Sequence, residues 1–119
     1  MSISDRRGAH RAPVAVAVKQ RRGKDLFLCQ SADISPGGMM LARAWGRQDA
    51  RLPRCWLEFD LPGVDRTIVA RAALVREQRR AAYQLMAFHF TAVTPSHRRL
   101  IADFTAHAPR LTGVPNFLR

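Results

Sequence analysis

The sequence is poor in acidic residues and cysteine, and it lacks long apolar runs. It has 9 acidic residues against 20 basic ones among 119, which gives a formal net charge of +11. Its two cysteines, Cys29 and Cys55, lack C-x-x-C spacing, so we expect reduced, buried thiols. No apolar run approaches the length of about 20 residues that spans a bilayer, and no signal-peptide-type leader is present. These absences predict a soluble, cytoplasmic protein without membrane insertion.

The patterns that mark enzymes and metal sites are also missing. The four histidines, at positions 10, 89, 97 and 107, do not have the spacing of metal ligands. Glu58 and Asp60 share a strand face, but a solvated face explains them better than acid–base chemistry does. The sequence has no Ser-His-Asp or Cys-His arrangement and no glycine-rich phosphate loop before a helix. We therefore predict a non-enzyme with no metal and no cofactor.

What is present is a globular composition with an unusual charge. Apolar residues make up 47% of the chain and charged residues 24%, which suits one domain with a single core. The net charge of +11 attracts polyanions. Nucleotides, nucleic acid or an acidic partner protein are therefore the expected ligands.

Six segments have the apolar alternation of half-buried strands. They are residues 14–18, 26–34, 39–42, 55–61, 67–76 and 83–93. Thr94 and Pro95 then predict a helix start, and apolar residues recur at helical spacing up to His107. This pattern predicts a mainly β fold, a six-stranded antiparallel barrel with a C-terminal α-helix over one opening. We divide the chain into a flexible N-terminal arginine arm (1–11), the barrel with its helix (12–107) and a loose C-terminal tail (108–119).

The N-terminal arm carries arginines with a defined spacing. Arg7 and Arg11 lie four apart, so they project to the same side, and Gly8 lets the arm bend between them. The planar guanidinium matches the O6/N7 edge of guanine with two hydrogen bonds and pairs similarly with a phosphate. The alternative is a solvated tail, as charge runs usually are.

The end of the second predicted strand carries groups that complement the other guanine edge. Asp33 and Ser35 lie two apart, so they share one face of a strand. The N–H donors of guanine need an acceptor such as an ionised Asp. Gly37 and Gly38 permit a bulge or the close approach of a ligand. Alternatively, this segment is an ordinary turn between two strands.

The two motifs in this order, R-x-x-x-R at 7–11 and D-x-S-x-x-G at 33–38, closely resemble the signature of the PilZ domain family. Its members are bacterial receptors for the second messenger cyclic di-GMP, and their fold is a six-stranded barrel with a C-terminal helix. By this resemblance, Arg7 and Arg11 clamp guanine and phosphate. Asp33 and Ser35 then contact the base from the barrel wall, and Gly38 gives clearance.

The resemblance implies a receptor or adaptor module that orders its N-terminal arm on binding cyclic di-GMP and relays the signal to a protein partner. Arg6 directly precedes the R-x-x-x-R pair. In the family, a basic residue there goes with an intercalated pair of ligands, so we predict two cyclic di-GMP molecules per chain. The alternative is that Arg6 lies free in solvent. The family often has a glycine near position 87, where this chain has Ala87. We expect this difference to affect packing more than ligand contacts.

Two other functions stay open at this point. A basic small barrel could bind single-stranded nucleic acid, with Trp45, Trp56 and Tyr83 as stacking platforms. Most aromatic residues lie at core-facing positions instead, which argues against nucleic acid. A PilZ-like adaptor that binds only protein is the other alternative, and the intact motif pair argues against it.

Overall fold

Seven β-strands and a C-terminal helix make up the part of the chain that the computed structural model describes, residues 11–44 and 53–108. Arg6, Arg7 and Trp45 lie outside these ranges, as do most of the predicted arm and tail. The elements are β1 (Ala12–Pro13), β2 (Ala17–Arg22), β3 (Asp25–Ser35), β4 (Gly38–Ala44), β5 (Arg54–Asp60), β6 (Thr67–Arg79), β7 (Tyr83–Val93) and α1 (Pro95–His107).

Six of these strands close into an antiparallel barrel. The hydrogen-bonded order is β3-β2-β5-β6-β7-β4, and β4 pairs back with β3 to close the ring. The short β1 pairs with β3 through Ala12↔Ile34 and Pro13↔Asp33, so it fixes the chain beside the end of β3. The prediction of a six-stranded barrel with a C-terminal helix is confirmed.

Alternation along the strands fills the barrel interior. In β5, Cys55 and Leu57 are buried while Trp56 between them is exposed, and Phe59 continues the buried row. In β7, Phe88 and Phe90 point into the same core. The rings of Phe59 and Phe90 stack with their centroids 6.4 Å apart. Removal of these apolar side chains from water is the main favourable contribution to folding.

The first predicted strand, 14–18, is interrupted in the structure. β1 ends at Pro13 and β2 begins at Ala17. In the gap, the Ser31 hydroxyl donates to the carbonyl of Val14 at 2.5 Å and accepts from the N–H of Val16 at 2.9 Å. A side chain that bonds to the main chain in this way competes with the regular strand ladder.

Helix α1 begins and ends where the sequence predicts. The Thr94 hydroxyl accepts from the N–H of His97 at 3.4 Å, and Pro95 occupies the first turn, where its missing N–H costs nothing. Ile101 is fully buried in the barrel core. The N–H of Val69 donates to Nδ1 of His97 at 3.2 Å, which ties the helix to β6. No helix among the described residues is long and apolar enough to cross a membrane.

Candidate functional site

The D-x-S-x-x-G segment forms the hairpin between β3 and β4. Asp33 and Ser35 end β3 and are only 3% and 8% exposed, and Ser35 pairs with Gly38 at the start of β4. The Ser35 hydroxyl donates to the Gly38 carbonyl at 3.4 Å. A register shift between Ser31 and Asp33 marks a bulge, which turns the end of β3 relative to the rest of the strand.

Arg11 contacts the carboxylate of Asp33 directly. Because Pro13 pairs with Asp33 in the β1–β3 ladder, Arg11 lies just before this pairing. Its guanidinium Nη2 donates to Oδ1 of Asp33 at 2.5 Å, and the two side chains are 45% and 4% exposed. Charge-assisted hydrogen bonds of this kind are about twice as strong as neutral ones. The structure thus brings the two sequence motifs into contact.

Burial and the Arg11 guanidinium act in opposite directions on the pKa of the Asp33 carboxyl. Burial raises its pKa above the ordinary value, while the charge and the hydrogen bond of Arg11 act in the opposite direction without cancelling that rise. The carboxylate is therefore costly to bury, and Arg11 limits the cost. A ligand that offered N–H donors to Asp33 would replace Arg11 in this stabilising role.

A surface cleft of about 430 Å³ lies beside this contact. Arg11 and the β3–β4 hairpin form one side of it, and the adjoining strands β7 and β6 form the other side. The side chains and main chain that line it belong to Arg11, Ser35, Gly37, Gly38, Met39, Val75, Arg76, Ala87, Phe88 and His89. Three of the six predicted site residues, Arg11, Ser35 and Gly38, therefore line one cleft, with the fourth, Asp33, paired to Arg11.

Two basic residues of this cleft were not predicted as site residues, Arg76 and His89. Arg76 pairs with Ala87 across β6 and β7, and His89 pairs with Gly38 across β7 and β4. A register shift between Leu74 and Arg76 changes the direction of the side chains on β6. The sequence signal for both residues is weak, because only the pairing of distant strands in the barrel places β7 and β6 beside the hairpin.

Gly38 has a structural reason to be glycine. A Cβ at this position would clash with the carbonyl oxygen of Phe88 and lie 3.2 Å from the Cα of His89. A Cβ on the neighbouring Gly37 would meet nothing within 4 Å. Close packing of β4 against β7 thus requires Gly38 whether or not a ligand is bound.

The two cysteines lie in the core and do not line this cleft. The Cys29 thiol donates to Oε1 of Gln20 at 3.3 Å, and Nε2 of Gln20 donates to the sulfur of Cys55 at 3.8 Å. Burial raises the pKa of Cys29 to about 11, and burial also raises the pKa of Cys55. Both are free thiols, as predicted, and both are protonated at neutral pH, which makes them poor nucleophiles.

A metal site would need several His, Cys, Asp or Glu side chains close together. No group of three His, Cys, Asp or Glu side chains suitable for a metal ion occurs within 11–44 and 53–108. The charge of the cleft comes instead from the guanidinium groups of Arg11 and Arg76. Such a cleft is suited to an anionic ligand.

Comparison with known families gives a direct match. The model of the PilZ domain matches residues 5–107. The chain belongs to the PilZ domain family. The matched range includes both motifs, the whole barrel and helix α1, so the resemblance noted from the motifs is confirmed.

Solved structures share the PilZ fold with this chain at low sequence identity. The motility inhibitor MotI of Bacillus subtilis has a TM-score of 0.71 and 17% identity, covering 82% of this chain and 48% of its own. The PilZ domain of YcgR from Escherichia coli, solved with c-di-GMP, has a TM-score of 0.69 and 15% identity, covering 85% and 89%. The PilZ domain of CeSA from a cellulose-synthesizing bacterium has a TM-score of 0.60 and 17% identity, covering 82% and 96%.

These likenesses concern the fold. The chain spans about half the length of the Bacillus subtilis protein, which therefore contains more than a PilZ-type barrel. No curated protein matches the chain.

Proposed function

We propose that this PilZ domain is a receptor for cyclic di-GMP, bound in the cleft between the β3–β4 hairpin and strands β6 and β7. The observation that carries the proposal is the direct contact of Arg11 with Asp33 at the edge of this cleft. It unites the two motifs, which lie 22 residues apart in the sequence, at one basic, concave site. The structures of YcgR with c-di-GMP support the choice of ligand, since they share the fold.

The chemistry of the ligand matches the groups at the site. Cyclic di-GMP has two phosphates and two guanines. Arg11, together with Arg7, would pair with phosphate and with the O6/N7 edge of guanine. Asp33 would accept from the guanine N–H groups, with Ser35 beside it on the barrel wall. Arg76 and His89 would complete the site from the adjoining strands β6 and β7.

Binding would require Arg11 to exchange partners. In the structure its guanidinium is paired with Asp33. In the complex, phosphate would take the guanidinium and guanine would take the carboxylate, so each charged group keeps a partner. This exchange would order the N-terminal arm against the barrel and form a new surface for a partner protein.

The proposal includes three finer points from the sequence. The chain acts as a receptor or adaptor and not as an enzyme. It works in the cytoplasm, where bacterial second messengers act. Arg6, directly before the R-x-x-x-R pair, allows two cyclic di-GMP molecules to bind per chain.

Calorimetric titration with several ligands tests this function. We expect cyclic di-GMP to bind more tightly than GTP, cyclic AMP or a single-stranded oligonucleotide at the same salt concentration. GTP controls for guanine, cyclic AMP for the cyclic phosphodiester, and the oligonucleotide for net charge. Tighter binding of the oligonucleotide would instead support a nucleic-acid-binding barrel. Binding of none of the four would contradict the receptor function.

A further inference from the structure

A second cleft, of about 490 Å³, lies on the outer face of the barrel over β2, β5 and β6. Four arginines and a tryptophan line it: Arg21, Arg22, Arg54, Arg71 and Trp56. None of its lining residues belongs to the cleft proposed for cyclic di-GMP. The two clefts are therefore separate sites on the barrel.

Trp56 lines this second cleft and is flanked by two of its arginines. It is 43% exposed, and its cross-strand partners are Arg21 on β2 and Arg71 on β6. The guanidinium carbon of Arg71 lies 5.3 Å from the centroid of the indole ring, which is a cation–π geometry. Exposed tryptophan supported by arginine is the typical composition of the energetic centre of a protein–protein interface.

Apolar side chains extend this surface along β3. Leu26 pairs with Arg21, so Leu26, Arg21, Trp56 and Arg71 form one cross-strand row on the outer face. Leu28 is two residues farther along the same face, and the two leucines are 47% and 67% exposed. We call this surface the Trp56 face; it consists of Leu26, Leu28, Trp56 and the arginines at 21, 22, 54 and 71.

Large apolar side chains are rarely exposed elsewhere in the described residues. Four are exposed there: Leu26, Leu28 and Trp56 belong to this face, and Val75 lines the cleft proposed for cyclic di-GMP. Clustered exposure of this kind marks an interaction surface, whereas scattered single residues do not.

The Trp56 face carries positive charge that its own surroundings do not neutralise. Glu58 lies 3.4 Å from Arg21 and partly offsets it. Within the described ranges, no carboxylate is within ion-pair distance of Arg22, Arg54 or Arg71. The face is therefore both apolar and basic.

We propose that the Trp56 face docks an acidic, amphipathic segment of a partner protein. Acidic side chains of the segment would pair with the arginines, and its apolar side chains would cover Trp56 and the leucines. Nucleic acid fits less well, because Trp56 is the one aromatic side chain of the face, and the exposed Leu26 and Leu28 offer no stacking surface for bases. The concave shape also suits an inserted segment better than a flat lipid surface.

Charge argues against this chain itself as the occupant. A second copy has the same net charge of +11 and would be repelled. The stretches 1–10, 45–52 and 109–119 each contain more arginines than acidic residues, so none complements a basic face. Charge therefore favours a segment of a different protein as the occupant.

Docking of a partner on the Trp56 face would be a function additional to the binding of cyclic di-GMP. The Trp56 face and the cyclic di-GMP cleft share strand β6. Residues 71–73 of β6 line the second cleft, and residues 75–76 of the same strand line the cyclic di-GMP cleft. A partner on the Trp56 face would thus contact the strand that forms one wall of the ligand site.

A labelled synthetic peptide tests the proposal on the full chain. The probe is a fluorescein-tagged peptide with Glu and Leu arranged as an amphipathic helix, and its control has Ser in place of every Leu. At physiological salt, fluorescence anisotropy should show that Trp56→Ser and Arg54→Glu each weaken binding about tenfold or more. The control peptide should bind weakly to the parent protein.

Arg98→Glu is the matched control variant, because it makes the same charge change on the exposed face of α1. It should alter peptide affinity by about twofold or less. If Trp56→Ser does not fold, Arg54→Glu still decides the question, since its side chain is exposed. Equal losses in Arg54→Glu and Arg98→Glu, or no peptide binding to the parent, would overturn the proposal. Tighter, Trp56-dependent binding of an oligonucleotide or of anionic vesicles would also overturn it.

Discussion

The contact between Arg11 and Asp33 explains how one buried carboxylate is kept in a folded protein and still available to a ligand. Burial of an ionised Asp is unfavourable unless a charge or several donors compensate it. Arg11 supplies that compensation from a side chain that is 45% exposed and so can exchange partners. The pair is therefore both a structural contact and part of the proposed site.

Replacement of Arg11 by Ala should weaken both binding and stability. Loss of a bidentate contact should lower cyclic di-GMP affinity about five- to a hundredfold, which is about 1–3 kcal/mol. The unpaired Asp33 carboxylate should cost about 1–3 kcal/mol of unfolding free energy. Calorimetry and urea unfolding measure the two effects, with Arg98→Ala as a control of equal charge change.

Arg11→Lys separates the two roles of this residue. A lysine keeps the charge near Asp33 but cannot form the two parallel hydrogen bonds of a guanidinium. We expect it to recover part of the stability and little of the affinity. Full affinity in both variants would show that Arg11 does not contact the ligand.

The stability of the ligand-free protein should depend on pH through Asp33. Its pKa is raised in the folded protein above the ordinary value of 3.8, so folding favours the protonated form. Asp33 therefore contributes most to stability below that ordinary value, and this contribution is lost as pH rises through the folded pKa. Relative to Asp33→Asn, which does not titrate, the parent should lose unfolding free energy as the pH rises from the ordinary value of 3.8 toward neutral. Urea unfolding of both proteins across this range measures the difference; a parent that gains stability instead would show that the Arg11 charge outweighs burial.

Because strands β4 and β7 pack closely, we expect the β3–β4 hairpin not to accept a larger residue at position 38. Gly38→Ala places a methyl group against the carbonyl of Phe88, so strand β4 must shift. We expect a loss of about 1–3 kcal/mol in unfolding free energy. Gly37→Ala is the matched control, since its added methyl group meets no neighbour within 4 Å. If Gly38→Ala were as stable as the control, the glycine would be needed for ligand clearance and not for packing.

The strands and the helix were predictable because their signals are local. Alternating apolar residues mark β5 and β7 within a few positions, and the Thr94 cap marks the start of α1. The break at residues 14–16 was not predictable, because it depends on the hydroxyl of Ser31 from a neighbouring strand. A side chain that replaces a ladder bond leaves no trace in the apolar pattern of the strand that it interrupts.

The candidate site was only partly predictable, because some of its residues come together only through the pairing of strands that are distant in sequence. Asp33, Ser35 and Gly38 are close in sequence and form a recognisable pattern. The rest of the site comes from Arg76 and His89, which reach it through strand pairing and a bulge in β6. Such long-range pairing is not encoded by spacing along the chain.

The positive net charge of the molecule affects how many anionic ligands it can bind. A net charge of +11 favours binding of more than one anion, and Arg6 adds a guanidinium beside the R-x-x-x-R pair. Calorimetry should give about two cyclic di-GMP molecules per parent chain and about one for Arg6→Leu, with binding retained in both. A ratio of one in the parent would rule out the paired ligand and leave the receptor function intact.

The comparison of the two clefts tests the location of the cyclic di-GMP site most directly. Arg76 lines the cleft beside the Arg11–Asp33 contact, and Arg54 lines the second cleft on the outer face. Calorimetric titration with cyclic di-GMP should show that Arg76→Ala weakens binding about tenfold or more, because it removes a charge-assisted contact. Arg54→Ala, an equal charge change, should alter affinity by about twofold or less. Equal losses in the two variants, or no binding by the parent, would contradict the assignment of the receptor site.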